Sequence, residues 1–339
     1  MIDFRYHLVS IIAVFLALAV GLVVGATALS GKALETLQIA QKAARGSIAA
    51  LEHNNASLTN QQKADEAFAQ AASSHLLPGL LSGLKVVEVV APGADNNAVT
   101  AGVTKALQQA GAQVTGEVIV NSTFLSTDGH DEEELTQLAQ NQAATAGVKL
   151  PPQASGPIAG QQAAARVLAA SLLSNGGTDP ASAESAAILS AFSSAGYLSI
   201  GNGASSVSGP ASLAVLVAPG GAPPQTGSQV LVALAAALRT AGSGTVMVSG
   251  SESVGSNSVI DAEIKAGQVS TVDNADTEIG QIMTVQALRL LYDRKPPGQY
   301  GIDPDAPNAA PSPAPTPSVT PTATTTTTPS PRTSSGGHR

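Results

Sequence analysis

The sequence predicts an α/β protein in four parts: an N-terminal transmembrane helix, a coiled-coil-like stalk helix, a Rossmann-like or flavodoxin-like layered domain, and a disordered C-terminal tail. Three observations predict it. Residues 8–31 carry no charged side chain and are long enough to cross a bilayer as a helix, which takes about 20 apolar residues. From residue 85 short apolar runs alternate with segments of helical period, the pattern of βαβ units. From Asp303 the chain turns to Pro, Thr, Ser and Ala, a composition that cannot build a packed core. The boundaries drawn from these shifts are 1–31, 32–77, 78–302 and 303–339.

Composition narrows the function. With 339 residues, 3% aromatic and no Trp, any core must be built from Ala, Val, Leu and Ile. Charged residues are 12% of the chain and the net charge is -8, which argues against nucleic acid as a partner because phosphate binding needs a basic face. The absence of Cys excludes disulfides and thiolate metal sites and leaves the redox compartment undetermined.

The apolar run has two readings. Arg5 and the small-x-small triplet Ala26-Thr27-Ala28 fit a cleaved signal peptide, but the uninterrupted run from Leu8 to Val24 exceeds the roughly 7–15 residues of an ordinary h-region. An uncleaved signal anchor is therefore expected, with Ala13, Ala17, Gly21 and Gly25 at spacings of four offering a face for close helix contact in lipid. Lys32, Lys42 and Arg45 after the run outnumber Arg5 before it, which by charge count alone places the following domain in the cytoplasm. The very short N-terminus, the export-like run and the Ser/Thr/Pro tail, whose composition resembles O-glycosylated stalks, place it outside instead.

Residues 32–77 read as one polar helix. Its heptad places Leu34, Gln41, Ile48, Asn55 and Gln62 at a, and Leu37, Ala44, Leu51, Leu58 and Asp65 at d, a fair seam in the middle that degrades at both ends. Self-association through this helix and the membrane helix is the expectation, with a solitary stalk as the alternative. Pro78-Gly79 stops the helix.

The α/β order follows. Strands are predicted at 85–91, 113–120, 197–200, 212–218, 244–249 and, last and short, 269–272; several are continuous apolar runs suited to a covered parallel sheet. Helices are predicted at 98–110, 131–146, 160–174, 180–194, 225–241, 258–266 and 276–292. Val99, Val103 and Leu107 face inward on one of them, and Val230, Leu231, Leu234 and Leu238 on another. Asp131-Glu132-Glu133-Glu134 reads as first-turn charge favoured by the helix dipole rather than a metal site with His130.

Two stretches carry a resemblance. MIDFRYHLVSIIAVFLALAVGLVVGATALSG at the start, and the later Ser270-Thr271-Val272-Asp273-Asn274-Ala275-Asp276-Thr277 with Gly280 and Pro297-Gly298-Gln299-Tyr300-Gly301, resemble actinobacterial copper transport proteins of the MctB type. The similarity runs from Met1 to about Gly301. It implies a single-pass envelope protein of copper homeostasis, in an oligomeric pore that moves copper outward, with copper as a transported ion rather than a tightly bound cofactor.

The residues themselves give little copper chemistry. Met1, Met247, Met283, His7, His53, His75, His130 and His338 show no pair at metal-ligand spacing on a helix or strand, so the metal ligands are unassigned. One helix encloses no lumen, so conduction needs several copies around an axis. No ten-residue alternating segments point to an outer-membrane barrel. Gly201-Asn202-Gly203 and Gly242-Ser243-Gly244 do not make a dinucleotide fingerprint, and no Walker A, GxSxG or HExxH motif is present, so no enzyme is predicted. Ligands of doubly wound sheets sit beyond the carboxyl ends of the strands. That rule nominates Ser251 and Glu252 after one strand, and Asp273, Asn274 and Asp276 after the last, for a cation or polar ligand, against the plainer role of Asp276 or Asn274 as a helix cap. The competing class is a structural or interaction protein that presents an α/β docking domain at the cell surface.

Overall fold

The computed structural model describes residues 4–94, 97–151, 156–175, 182–201, 209–221, 223–255 and 257–312. The chain divides into two units, Met1–Ala67 and Phe68–Arg339.

The first unit is helical. A single helix, α1, runs Phe4–Leu76. Its stretch Tyr6–Ala26 has a mean hydropathy of 2.9 and none of it is buried, so it is long and apolar enough to cross a membrane. Beyond it, residues 35–65 are exposed on every face of the helix, including Leu37, Ile48, Leu51 and Leu58 of the heptad. The helix over the predicted stalk is present; a coiled coil is a matter of more than one chain and stays a proposal.

The second unit is a mixed α/β domain on a seven-stranded sheet. Its elements are β1 (Lys85–Val90), α2 (Asn97–Gln109), β2 (Gln113–Val120), α3 (Gly129–Ala143), α4 (Ala159–Leu172), α5 (Ser182–Ser194), β3 (Leu198–Ile200), β4 (Leu213–Val217), α6 (Gln225–Ala241), β5 (Gly244–Val248), α7 (Val259–Ala266), β6 (Ser270–Val272), α8 (Glu278–Tyr292) and β7 (Gln299–Tyr300). The order across the sheet is β3-β2-β1-β4-β5-β6-β7. Every neighbouring pair is parallel except β2–β3. This is the doubly wound Rossmann order, and the direction of winding reverses between β1 and β4.

The parallel strands are apolar because both faces are covered. Val87, Val89, Leu216 and Met247 belong to one core with α3–α7, whose largest buried side chains include Phe124, Phe192 and Leu168. Val86, Val215, Val248 and Val272 belong to the other, with α2, α8 and the last turns of α1 at Ala69. The inward residues predicted on α2 and α6 are all buried.

Two elements depart from the sequence reading. β3 is antiparallel and lies at the sheet edge, a choice of direction that three residues do not encode. β7 was not predicted: it is two residues long, and only its pairing with Thr271 and Val272 makes it a strand. Helix starts also differ. α3 begins at Gly129, with the Asp128 side chain accepting from the His130 amide, so Asp131 and Glu132 do lie in the first turn. α7 opens with a reciprocal Ser258–Asp261 capping box and closes on Gly267 in the left-handed conformation at φ 62. α8 is capped by Thr277, which accepts from the Gly280 amide, and neither Asp276 nor Asn274 serves as the cap.

Gly280 stands where α8 passes the loop after β6. A Cβ built there would overlap the Asn274 carbonyl and its peptide. Gly280→Ala is therefore expected to lower unfolding stability by about 1–3 kcal/mol through backbone displacement. A chemical-denaturation midpoint equal to that of the wild type would contradict this packing.

Candidate functional site

The carboxyl ends of the strands form a rim of loops, and the sequence-nominated residues all lie on it. Between β1 and β4, where winding reverses, Gly93 lies near the Pro219 ring, which is 3.7 Å from the position the glycine's own Cβ would take. Glu252, in a short 3-10 turn (Ser251–Ser253) after β5, is exposed and lies over Gly220 and Gly250, where a methyl group on either glycine would collide with it.

The next loops are joined by side chains. Asp276 Oδ1 accepts from the Ser251 amide at 2.9 Å and from the Ser251 hydroxyl at 2.8 Å, tying the loop after β6 to the loop after β5. Asp273 is 1% exposed and accepts the Ile302 and Asp303 amides, each at 2.8 Å, tying the loop after β6 to the chain after β7. Burial nonetheless holds its carboxyl above the usual range, opposed by those two amides and assisted by the Asp303 charge. Asn274 is 5% exposed; its carbonyl accepts the Thr277 amide and hydroxyl, while its side-chain Oδ1 has no partner among the described residues. The structure thus joins Ser251 with Asp276, and sends Asp273 and Glu252 to other neighbours. Both Asp273 oxygens are engaged by main-chain amides, and Asp276 Oδ1 by the amide and hydroxyl of Ser251.

A second place was not marked by the sequence reading. On the α2 face, a cleft of about 860 Å3 lies over β1 and β2. Its floor holds Glu88 and Glu117, direct partners across the parallel ladder. Glu88 is 2% exposed, and both its oxygens take the Thr104 hydroxyl at 2.9 Å. Burial raises its pKa to about 7; the Thr104 bond opposes the shift and the Glu117 charge adds to it. Lys105 on the wall is half exposed and is paired with Glu278 of α8 at 3.6 Å. Glu88 is therefore a group that exchanges a proton near neutral pH inside an otherwise apolar strand. The available signal was the lone charge in Val-Val-Glu-Val-Val, which a strand covered on both faces has to bury. On the opposite face a recess of similar size, about 860 Å3, is walled by alanines of α4 and α6 and has Arg166 as its one ionisable lining residue.

Soft and imidazole donors stay apart. Met247 and Met283 are buried in different cores on opposite faces of the sheet. His7, His53 and His75 are exposed on α1 and His130 is exposed on α3; Met1 and His338 lie outside the described residues. Among the described residues no group of three or more His, Cys, Asp or Glu side chains is placed to hold a metal ion.

The sequence pattern of the family described as "Copper transport outer membrane protein, MctB" matches residues 1–311. The chain belongs to the MctB family. It is 31% identical over 315 residues to the proteins named "Copper transporter MctB" of Mycobacterium bovis and Mycobacterium tuberculosis, covering 89% of this chain and 96% of theirs. The relative of the same name in Mycobacterium leprae is 31% identical over 316 residues, with the same coverage.

Glu88 makes the fold sensitive to pH in a defined direction. Its folded pKa of about 7 lies above its ordinary 4.5, so its contribution to stability is complete below 4.5 and is lost as pH rises through about 7. The loss expected from this group is about 3 kcal/mol. Denaturant unfolding at a series of pH values should show the decline in the wild type, and Glu88→Gln should flatten it; an equally steep decline in the variant would remove Glu88 as its source.

Proposed function

We propose that this chain is a membrane-anchored cell-envelope protein of copper homeostasis. The observation that carries the reading is 31% identity along 89% of the chain to proteins named as copper transporters. In this reading residues 1–31 are an uncleaved anchor, 32–77 an oligomerising stalk, 78–302 an extracytoplasmic α/β domain and 303–339 a tail. The span Tyr6–Ala26 supports the anchor. Copper is the transported ion and not a resident cofactor, because the Met and His donors are dispersed through the molecule. Passage through a pore then belongs to several copies together, since a lone helix has no lumen. At the rim, Asn274 Oδ1 and the exposed Glu252 are the groups we assign to a polar ligand, with Asp273, Asp276 and Ser251 shaping the loops beneath them. A strain lacking the gene should accumulate copper and become copper-sensitive with an intact envelope.

A second reading is favoured by the same dispersal of donors: an interaction protein that presents the α/β domain as a docking module. Unchanged cellular copper with a weakened envelope in the deletion strain would decide for it.

The stalk is testable because the chain has no cysteine of its own. With Asn55 at a central a position and His53 at an outward f position, Asn55→Cys should yield a disulfide-linked dimer in membranes under mild oxidation and His53→Cys should not. Equal cross-linking of both, or of neither, would reject the parallel heptad seam.

A further inference from the structure

The ladder between β1 and β2 slips at one place. Val86 pairs with Val114 but Val87 with Gly116, which leaves Thr115 as an extra residue in β2. The bulge shifts the alternation beyond it: Val114 and Ile119, five residues apart, both pack on the α2 side of the sheet. Glu117 comes to face Glu88 in the same way, two acids directly opposite on the floor of the cleft. Like charges so placed destabilise a sheet. The Glu117 carboxylate accepts no hydrogen bond and forms no ion pair among the described residues, and Lys105 on the wall is paired with Glu278 of α8. At Glu88 the donors run short. Thr104 has one hydroxyl proton and three acceptors around it at 2.9 Å, the two Glu88 oxygens and the Thr100 carbonyl. At least one Glu88 oxygen is left without a donor, in a residue that is 2% exposed and lines the cleft.

We propose that this cleft binds an amphipathic organic cation, an ammonium or amidinium head on an apolar body, with the head held between Glu88 and Glu117. Such a head brings the N–H donors that the two carboxylates lack, and its charge turns their mutual repulsion into a shared attraction. Size and walls speak for a molecule and against a bare ion. The cleft measures about 860 Å3, within the range of small-molecule pockets, and Val90, Ala91, Val114 and Ile119 line it beside the acids. Oxygen donors are not those that hold Cu(I), so the site stands apart from the copper reading. A proton is the competitor. Burial raises the Glu88 pKa to about 7, with the Thr104 bond opposing the shift and the Glu117 charge adding to it. The cation therefore displaces a proton from Glu88 and binds better as pH rises. The other charged groups lining the cleft among the described residues are Glu117 from β2 and Lys105 from α2, the latter held by Glu278.

Benzamidinium, with benzamide as its uncharged counterpart of nearly the same shape, tests the site by equilibrium dialysis against the full-length protein in detergent, detergent alone being subtracted. Benzamidinium should bind and benzamide should not. Glu117→Gln and Glu88→Gln should each weaken benzamidinium by about tenfold or more, the loss of one charge-assisted bond. The wild-type affinity should rise between about pH 5 and about pH 8, and Glu88→Gln should flatten that rise. Glu117 is only half-buried, so Glu117→Gln reads the site even where Glu88→Gln disturbs the core. No binding, equal binding of benzamide, or undiminished affinity in Glu117→Gln would overturn the proposal. So would displacement by magnesium chloride beyond that by sodium chloride at equal ionic strength, which would assign the acids to a hard metal ion instead.

Discussion

A parallel sheet covered on both faces has no wet side, and every polar group placed on it must be matched or neutralised inside the protein. Here β4 obeys by being wholly Leu, Val and Ala, the Val residues of β1, β5 and β6 point into the two cores, and the helices present small and branched residues to them. With no Trp and few aromatics, the core is filled by many modest side chains, and only Phe124 and Phe192 rank above Leu among the fully buried. Glu88 is the one buried ionisable side chain on β1, β4 and β5. It is kept at acceptable cost by one threonine hydroxyl and a proton held to about pH 7. An ionised carboxylate at that place would lack the donors that a charge in low dielectric needs.

Polarity excluded from the faces collects at the carboxyl ends of the strands, where loops must turn without ladder partners. Each turn there leaves main-chain amides to be satisfied, and acids do much of the satisfying: Asp276 for Ser251, Asp273 for Ile302 and Asp303, Asp303 for Gly255 and Asp305. Charge-assisted bonds of this kind are stronger than neutral ones. They join loops that are 25 to 48 residues apart in sequence. The same arrangement that gives a doubly wound fold its usual ligand crevice has here been largely spent on closing the rim. At the reversal point between β1 and β4 the turns are Pro92-Gly93 and Pro219-Gly220, with the Glu252 side chain close over Gly220.

What the sequence reveals tracks how local the cause is. α6 could be read end to end from its period, and β4 from its continuous apolar run, because the signal for each lies within the segment. β7 has no such signal: two residues after Pro297-Gly298 become a strand only because β6 is beside them. The cap of α8 shows the same limit. Asp276 and Thr277 are adjacent acceptors with equal claims on paper, and the choice falls to Thr277 because Asp276 is drawn to Ser251 across the rim. Asp303 reads as tail by composition, yet it is buried, since its amide ends on Asp273 after β6 and its carboxylate takes the Gly255 amide from the loop after β5. Glu88 was visible as a charge in an apolar strand, but its proton affinity is set first by burial, then by Thr104, and last by Glu117, all of which only the folded β1–β2–α2 packing brings to it. The seam of α1 is a periodicity whose consequence lies between chains.

Under the proposed function, the donor inventory constrains how copper would be handled. Firm capture of Cu(I) calls for converging thiolates, thioethers or imidazoles. Cys is absent, the two buried methionines are separated by the sheet, and the histidines of the described residues are exposed and distant in sequence. Among the described residues one chain gathers no such donor set, and under the proposed function trapping is not what passage would require: conduction needs binding weak enough to release at each step. Repetition around an axis multiplies one sparse donor into a ring. His7, at the end of the Tyr6–Ala26 span, is the imidazole that copies of this helix would bring to one level. In the proposed assembly, such a ring would supply the donors that the described residues of one chain keep apart.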